Sequence, residues 1–250
     1  MGWVRNVTTS TLAFDIVQFF LLLNYCLLPC ILGKASFDSK VKHFFSNYLV
    51  GRKTQYYWNN FSSSFFNVDV GVGQGSAFSP ILSFLYLAPI LYILENHLKF
   101  FKIPVSILSF VDDGLFIAQS KSLSISNSLL FCSYNIVSIL LKKFSIIMEH
   151  TKTEVFHFSR LNRIFDLPLL DLSILGSPIL YPRETWKYLG FIFDRKLSFH
   201  QHVNFYVNKA ILTVKCMKIL GNSVCGLIPH QKWLLYKSCV LSIALYGFQL

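Results

Sequence analysis

Two adjacent carboxylates, Asp112 and Asp113, constrain the fold of this chain more than any other feature. Apolar runs flank them at 107–108 and 115–117, and Gly114 follows them directly. β-Forming residues on both sides of a short polar turn predict a β-hairpin with both acids at or beside its tip. Like charges this close raise each other's pKa unless a cation offsets them, and carboxylate oxygens suit Mg²⁺. A solvated Asp-Asp-Gly turn is the alternative interpretation.

The chain is unusually apolar for a folded domain. Of its 250 residues, 53% are hydrophobic and 14% are charged, against about 25% charged in typical soluble proteins. The segments 11–32 and 77–94 are apolar enough to raise the hypothesis of an integral membrane protein. However, Asp15 lies in the first, and Pro80 and Pro89 interrupt the second. A mid-membrane acid is costly, so we expect burial in a protein core and no membrane insertion.

The charge balance favours a polyanionic partner. Lysine and arginine number 23 against 12 acidic residues, which gives a net charge of +11. Such a balance is typical of proteins that bind nucleic acid or an anionic membrane surface. The basic residues are dispersed, which fits a groove better than an arm, and a solvated basic surface is the alternative.

The spacing of the cysteines and histidines does not predict a metal site. The six cysteines form no C-x-x-C pair, and we expect buried free thiols in a reducing compartment. His200 and His202 lack a matching ligand pair at zinc-finger spacing, so a zinc site is not expected.

Hydrophobic periodicity predicts an alternation of strands and helices along the chain. In order, the pattern predicts a strand at 11–20 with Asp15 at its junction with a turn or helix, a helix over 27–49 broken near 36–38, a hairpin over 55–70, a flexible glycine loop at 71–76, a helix from Ser79 to about His97, the Asp-Asp hairpin, a helix over 126–144, strands at 153–158 and 187–193, and helices from 199 onward. This order indicates an α+β fold with an antiparallel sheet backed by helices.

Six blocks of sequence follow one another along the chain: FDIVQFF at 14–20, GQGS at 73–76 with SPIL at 79–82, FVDD at 110–113, KTEVFHF at 152–158, WKYLGF at 186–191, and LSFHQHV at 197–203 followed by Lys209-Ala210. In this order they resemble the reverse transcriptases of non-LTR (LINE-type) retrotransposons, particularly fungal ones. Each block is moderately specific, and their shared order is a strong signal.

The resemblance implies a polymerase palm over 1–195, with the fingers largely missing, and a partial helical thumb or connection over 196–250. It implies an RNA-directed DNA polymerase that transfers a nucleotide from a dNTP to a primer 3′-hydroxyl. Asp15, Asp112 and Asp113 would hold two Mg²⁺ ions, with Mn²⁺ as a possible substitute, although alternation along a strand can turn Asp113 away. Lys152 would approach the triphosphate as the proton donor to pyrophosphate, or is a solvated loop lysine.

The same resemblance assigns residues to the nucleotide and the nucleic acid. Phe20 would disfavour a 2′-hydroxyl, or is an ordinary core phenylalanine. Gln74 and Gly75 would border the incoming nucleotide and the template base. Arg52 and Lys53 would contact template phosphate, or lie in a solvated turn. A primer grip, in which a twisted hairpin presses on the primer backbone, would comprise Trp186, Lys187, Tyr188, Leu189 and Gly190. As a bare sequence, that segment indicates only an apolar strand.

The expected partners are an RNA template, a DNA primer and dNTPs, and the element's own RNA in a ribonucleoprotein. The family implies a nuclear or cytoplasmic ribonucleoprotein, while a mitochondrial location stays open. Leu21 and Leu22 stand where family members commonly have Pro-Ser. A truncated, catalytically dead remnant that still binds nucleic acid is therefore the alternative function.

Overall fold

The computed structural model describes residues 7–24, 27–34, 37–73, 75–159, 168–173, 179–220 and 226–248. These residues divide into two compact units. Unit 1 takes the described residues up to His157 together with those between 168 and 182. Unit 2 takes Phe158, Ser159 and the described residues from Arg183 onward. The palm and thumb boundaries expected from the sequence, 1–195 and 196–250, stay predictions, because compactness alone does not define functional domains.

The secondary structure follows the predicted order. Unit 1 contains β1 (Thr8–Ile16), α1 (Phe19–Leu22), α2 (Leu27–Lys34), α3 (Ser39–Leu49), β2 (Lys53–Thr54), β3 (Tyr57–Trp58), β4 (Phe61–Ser62), β5 (Phe66–Asn67), α4 (Ser79–Phe100), β6 (Val105–Phe110), β7 (Asp113–Ser120), α5 (Leu123–Lys143), β8 (Met148–Phe158, its last residue in unit 2), β9 (Leu170–Asp171) and β10 (Ile179–Leu180). Unit 2 contains β11 (Thr185–Tyr188), β12 (Phe191–Asp194), α6 (His200–Ile219), α7 (Pro229–Leu235), a π-helical segment (Tyr236–Leu241) and α8 (Ser242–Ala244).

A four-stranded sheet in the order β6-β7-β1-β8 is the frame of unit 1. The hairpin β6–β7 and the pair β7–β1 are antiparallel. Side chains alternate across a strand, so Phe14, Gly114 and Phe116 face the hydrophobic core, as burial of the two phenylalanines confirms. Asp15 and Asp113, one residue along each strand, consequently lie on the opposite face.

Helices α4 and α5 pack against each other, and both contact the sheet. Pro80 lies in the first turn of α4, where its missing N–H is tolerated. Ser122 caps α5 by accepting a hydrogen bond from the backbone N–H of Ile125 at 3.3 Å. The fully buried ring of Tyr86 on α4 ends in a hydroxyl that donates to the Phe144 carbonyl at 2.7 Å. The helices therefore cover one face of the sheet with a continuous apolar core.

The two apolar segments that raised the hypothesis of a membrane protein, 11–32 and 77–94, fold in different ways. Residues 11–32 do not form one long helix, because β1 runs to Ile16 and short helices follow it. Among the described residues, α4 and α5 are long and apolar enough to cross a membrane, although apolar helices in a protein core meet the same criterion. Both helices contribute fully buried side chains, including Ile90 and Leu130, to the core of unit 1.

Two local predictions were wrong. The segment 187–193 is a hairpin, β11–β12, and its turn residues Leu189 and Gly190 have φ of 47° and 83°. A non-glycine residue with positive φ is uncommon, so an apolar pattern gave no sign of this turn. The predicted burial of the thiols also fails: Cys30, Cys132 and Cys216 are exposed, and Cys239 is half-buried. Cys26 and Cys225 lie outside the described residues.

Unit 2 is built on contacts between the β11–β12 hairpin and its helices. Tyr206 on α6 donates to the Gly190 carbonyl at 2.7 Å, and Tyr246 donates to the Leu189 carbonyl at 2.8 Å. The buried ring of His202 stacks on Phe191, with centroids 5.4 Å apart. The tip of the hairpin is thus fixed by two tyrosine hydroxyls.

The packing of Phe14 over Gly114 gives a stability prediction. A Cβ on Gly114 would overlap the buried Phe14 ring. The centroids of the Phe14 and Phe116 rings are 5.2 Å apart. Overpacking of this kind costs about 1–3 kcal/mol, so Gly114→Ala should lower the free energy of unfolding by that amount in urea titrations.

The matched control is Gly33→Ala on α2, where an added Cβ meets no atom within 4 Å. Replacing glycine by alanine inside a helix should leave stability unchanged or raise it by up to about 1 kcal/mol. Equal unfolding midpoints for Gly114→Ala and the parent would contradict the packing described.

Candidate active site

Three aspartates lie at one end of the sheet. Asp15 on β1 is the register partner of Asp113 on β7, so both side chains lie on the same face. Asp112 lies in the turn before β7, and its carbonyl accepts a hydrogen bond from the Ile16 backbone N–H at 3.2 Å. The predicted Asp-Asp hairpin is confirmed as β6–β7, and the predicted strand that carries Asp15 is β1. Alternation does not turn Asp113 away from Asp15.

The turn that presents these acids holds an unusual backbone conformation. Val111 has a φ of 58°, in the left-handed region. A β-branched residue is disfavoured there, and such a conformation costs about 1–3 kcal/mol unless its surroundings enforce it. Val111 packs against the core, which holds the turn in place. Strained turns of this kind concentrate at functional sites.

Charge is only partly balanced within the cluster. Burial, followed by the charges of Asp112 and Asp15, raises the pKa of Asp113, and Lys152 acts against that rise. Lys152 on β8 donates from Nζ to Asp15 Oδ2 at 2.7 Å. The lysine side chain is 66% exposed and the aspartate 19%. The hydrogen bond and the negative charge of Asp15 raise the pKa of Lys152, which stays protonated.

The donor chemistry at this site fits a hard divalent cation. Asp15, Asp112 and Asp113 offer only oxygen ligands, which Mg²⁺ and Mn²⁺ prefer. The raised pKa of Asp113 indicates that one lysine does not offset three carboxylates. Within the described ranges, no three acidic, histidine or cysteine side chains already converge as a metal cage. The Lys152 ammonium holds one oxygen of Asp15, so a cation would share or replace that contact.

A phenylalanine that the sequence pattern did not single out lies beside the acids. Phe110 on β6 is the register partner of Asp113, so its side chain lies beside the carboxylates on the same face. It is 59% exposed, which is unusual for a phenylalanine next to a strand end. The alternation of apolar residues along 107–110 carried no signal for this exposure.

The glycine loop is tied to the segment that carries Phe20. The Val72 N–H donates to the Phe20 carbonyl at 2.6 Å, and the Gly71 N–H donates to the Leu23 carbonyl at 2.9 Å. Phe20 is half-buried and packs against the core, so its predicted contact with the sugar stays a prediction. Gly75 is exposed with a φ of 85°. The predicted nucleotide contact Gln74 lies outside the described residues.

The other end of the loop is fastened by side chains. Ser79 donates from its hydroxyl to the Gly73 carbonyl at 2.6 Å, and Tyr48 donates to the Ser76 hydroxyl at 2.7 Å. Arg52 donates to the carbonyls of Leu49 and Gly71. These bonds hold the loop between α3 and the first turn of α4.

The predicted template contacts therefore differ from each other. The Arg52 guanidinium also donates to the Val70 carbonyl at 3.3 Å, so it has a structural role that the sequence did not indicate. Lys53 on β2 is exposed. A phosphate contact by either residue stays a prediction.

The predicted primer grip lies in unit 2 and combines buried and exposed side chains. Trp186 is buried and stacks with Tyr188 and Phe193, at centroid distances of 5.0 and 5.5 Å. Lys187 is exposed, with its ammonium 5.7 Å from the Phe205 ring centroid. Leu189 and Gly190 form the tip. Contact with a primer stays a prediction for all five residues.

Sequence reasoning missed the residues that support this hairpin. His202 and Tyr206 are four positions apart on α6 and so share one helix face. The Ile192 N–H donates to His202 Nδ1 at 3.2 Å, and His202 Nε2 bonds the Tyr246 carbonyl at 3.0 Å. The spacing of the histidine and the tyrosine was the available signal.

An antiparallel sheet backed by helices, with carboxylates from neighbouring strands at one end, defines the palm of a polymerase. Residues 6–193 match the family "Reverse transcriptase (RNA-dependent DNA polymerase)". The match covers most of the chain, and the protein therefore belongs to the reverse transcriptase family, whose enzymes are RNA-directed nucleotidyltransferases. No curated protein sequence gives a significant match to this chain.

Similar solved structures support the fold. Telomerase from Candida tropicalis in complex with a TWJ fragment of telomeric RNA is 14% identical, with a TM-score of 0.55, and the match covers 97% of this chain and 40% of the telomerase chain. Apo telomerase from the same organism is 15% identical, with a TM-score of 0.52, covering 77% of this chain and 33% of that one. The chain thus spans well under half the length of these relatives, and the predicted α+β palm fold is confirmed.

The charge balance predicts a specific pH dependence. The pKa of Asp113 lies above its ordinary value of 3.8 in the folded state. Folding then strengthens the binding of this proton, so the contribution of Asp113 to stability falls as pH rises from about 4 through its raised pKa. Asp113→Asn should remove this fall and be more stable than the parent at neutral pH without divalent ions. Urea unfolding across pH measures it.

Asp69→Asn, at an exposed carboxylate in the loop after β5, is the control and should follow the parent profile. Superimposable profiles for the parent and Asp113→Asn would contradict the described repulsion among the three acids.

Proposed function

We propose that this chain is the reverse transcriptase domain of a non-LTR retrotransposon. It transfers a nucleotide from a dNTP to a primer 3′-hydroxyl on an RNA template. The observation that carries the proposal is the register of Asp15 opposite Asp113, with Asp112 at the adjoining turn. That register brings carboxylates from two strands to one edge, as two-metal phosphoryl transfer requires.

The residues take distinct parts in the proposed reaction. Asp15, Asp112 and Asp113 would hold two Mg²⁺ ions, which activate the attacking hydroxyl and stabilise the departing pyrophosphate. Lys152, kept protonated by Asp15, supplies positive charge and a proton on the side of the triphosphate. Phe20 lies under the sugar and disfavours a 2′-hydroxyl.

Binding of the nucleic acid follows from charge and position. The net charge of +11 supports a template and primer as partners. In the proposal, Gln74 and Gly75 border the incoming dNTP and the template base. Arg52 and Lys53 lie on the template side, and the hairpin 186–190 grips the primer backbone.

The ordered blocks from 14 to 210 support the non-LTR subtype. The telomerase structures, at 14% and 15% identity, support the fold without deciding the subtype. The proposal includes a ribonucleoprotein with the element's own RNA, acting in the nucleus or assembled in the cytoplasm.

Primer extension on an RNA template tests the proposal. The chain should incorporate dNTPs with Mg²⁺ or Mn²⁺, and removal of the ion by a chelator should abolish incorporation. Asp112→Ala should lower the rate at least about a hundredfold, because a lost metal ligand costs more than a lost supporting contact. Asp69→Ala, an exposed acid outside the site, should extend as the parent does.

The controls separate two kinds of failure. Equal extension by the parent and Asp112→Ala would show that the activity does not arise from these carboxylates. If neither extends while both still bind the primer and template, the catalytic proposal is wrong, and the chain is a remnant that binds nucleic acid.

A further inference from the structure

The segment between α3 and the glycine loop forms an aromatic ribbon, defined here as residues 53–67. Lys53 and Thr54 pair with Asn67 and Phe66 at its base. Trp58 pairs with Phe61 at its tip. Between these pairs, the Tyr56 N–H donates to the Ser63 hydroxyl and the Ser63 N–H donates to the Tyr56 carbonyl, both at 3.0 Å. The ribbon is therefore one continuous hairpin with a bulged middle.

The ribbon carries an unusual density of exposed aromatic side chains. Six rings are between 46% and 78% exposed: Tyr56, Tyr57, Trp58, Phe61, Phe65 and Phe66. A two-stranded ribbon is marginally stable by itself, and exposed apolar patches of this kind mark interaction sites. Trp58 at the tip is the most exposed of the six, at 78%.

The charge and polarity of the ribbon indicate the class of partner that it binds. The ribbon contains Lys53 and no acid. Apart from Lys53 and the six aromatic residues, its side chains are all asparagine, glutamine, serine or threonine, which hydrogen-bond bases. Aromatic rings interleaved with polar and basic groups are the chemistry that binds unpaired nucleic acid, since bases stack on the rings and cations contact the backbone. A duplex keeps its bases stacked and offers no such faces.

Connections at the base of the ribbon link it to the proposed nucleotide site. The Val68 N–H donates to the Arg52 carbonyl at 2.9 Å, and the Arg52 guanidinium bonds the Gly71 carbonyl. Gly71 and Val72 in turn bond the backbone of the Phe20 segment. A strand lying along the ribbon would therefore lead into the glycine loop.

We propose that the aromatic ribbon binds single-stranded nucleic acid by base stacking and guides the unpaired template toward the glycine loop. The role as a template guide rests on the proposed function, whereas stacking of single strands can be measured without catalysis.

The test compares binding of a fluorescein-labelled oligouridine of about 12 nucleotides, a length suited to one stacking surface. Fluorescence anisotropy at one fixed salt concentration gives Kd for the parent and for the variant Tyr57→Ala/Trp58→Ala/Phe61→Ala. The matched control is Phe84→Ala/Tyr92→Ala/Phe100→Ala on α4, whose rings are 67–80% exposed. Melting temperatures verify that each variant folds.

The ribbon variant should bind oligouridine at least about tenfold more weakly, since each lost stacking ring weakens binding by about that factor. The α4 variant should bind as the parent does. Duplex RNA of similar length should bind both variants within about twofold of the parent. Trp58→Phe, which keeps a ring, should restore most of the affinity lost in Trp58→Ala.

Four outcomes would overturn the inference: unchanged oligouridine binding, equal losses for oligouridine and duplex, a ribbon variant that changes only self-association in sedimentation, or one that changes only binding to anionic vesicles. The last two would assign the ribbon to a second copy or to a membrane surface.

Primer extension separates the two proposals. If the chain extends a primer but the ribbon variant binds oligouridine as the parent does, only this inference is refuted. If the ribbon binds single strands but the chain does not extend a primer, only the proposed function is refuted.

Discussion

The register between β1 and β7 is the constraint on which the site depends. It places Asp15 opposite Asp113 on one face and Phe14 opposite Gly114 on the other. A slip of one residue would exchange the faces, so that Asp15 would enter the apolar core and Phe14 would leave it. The close approach of the Phe14 ring to Gly114 makes the observed register the one that packs. Core packing thus sets the positions of the carboxylates.

The same arrangement concentrates negative charge in a basic chain. Three of only 12 acidic residues lie at one edge of the sheet, and Lys152 pairs with one of them. The raised pKa of Asp113 and the left-handed backbone of Val111 are both unfavourable for folding alone. Structural cost at such a position is typical of functional sites. The site is stable because the surrounding sheet and helices hold it.

Local patterns in the sequence predicted much of unit 1. The β-forming residues around Asp112 and Asp113 indicated the hairpin, and the apolar stretches indicated α4 and α5. The pairing of β1 with β7 joins residues about a hundred positions apart, so only the resemblance placed Asp15 near the hairpin. The subtype, the site roles and the domain boundary stay predictions.

Other features of the structure depend on backbone geometry and tertiary contacts, which the residue pattern does not reveal. Leu189 adopts a conformation that leucine rarely has, so the residue pattern gave no sign of the β11–β12 turn, and only the resemblance implied a hairpin there. The Arg52 guanidinium donates to backbone carbonyls in the loop that follows the ribbon, a structural role that the residue pattern did not indicate. The exposure of Phe110 depends on which face of the sheet the helices cover. Each of these outcomes is decided by residues distant in sequence.

Binding of Mn²⁺ followed by paramagnetic broadening of backbone amide signals tests the central claim most directly. The carboxylates of β1 and the β6–β7 turn are predicted to form one cation site. Signals of Ile16, Asp113 and Gly114 should therefore broaden first, and the broadening should be lost in Asp15→Asn/Asp113→Asn. Broadening centred on other acids, such as Asp171 or Asp194, or broadening that survives the double substitution, would contradict the account.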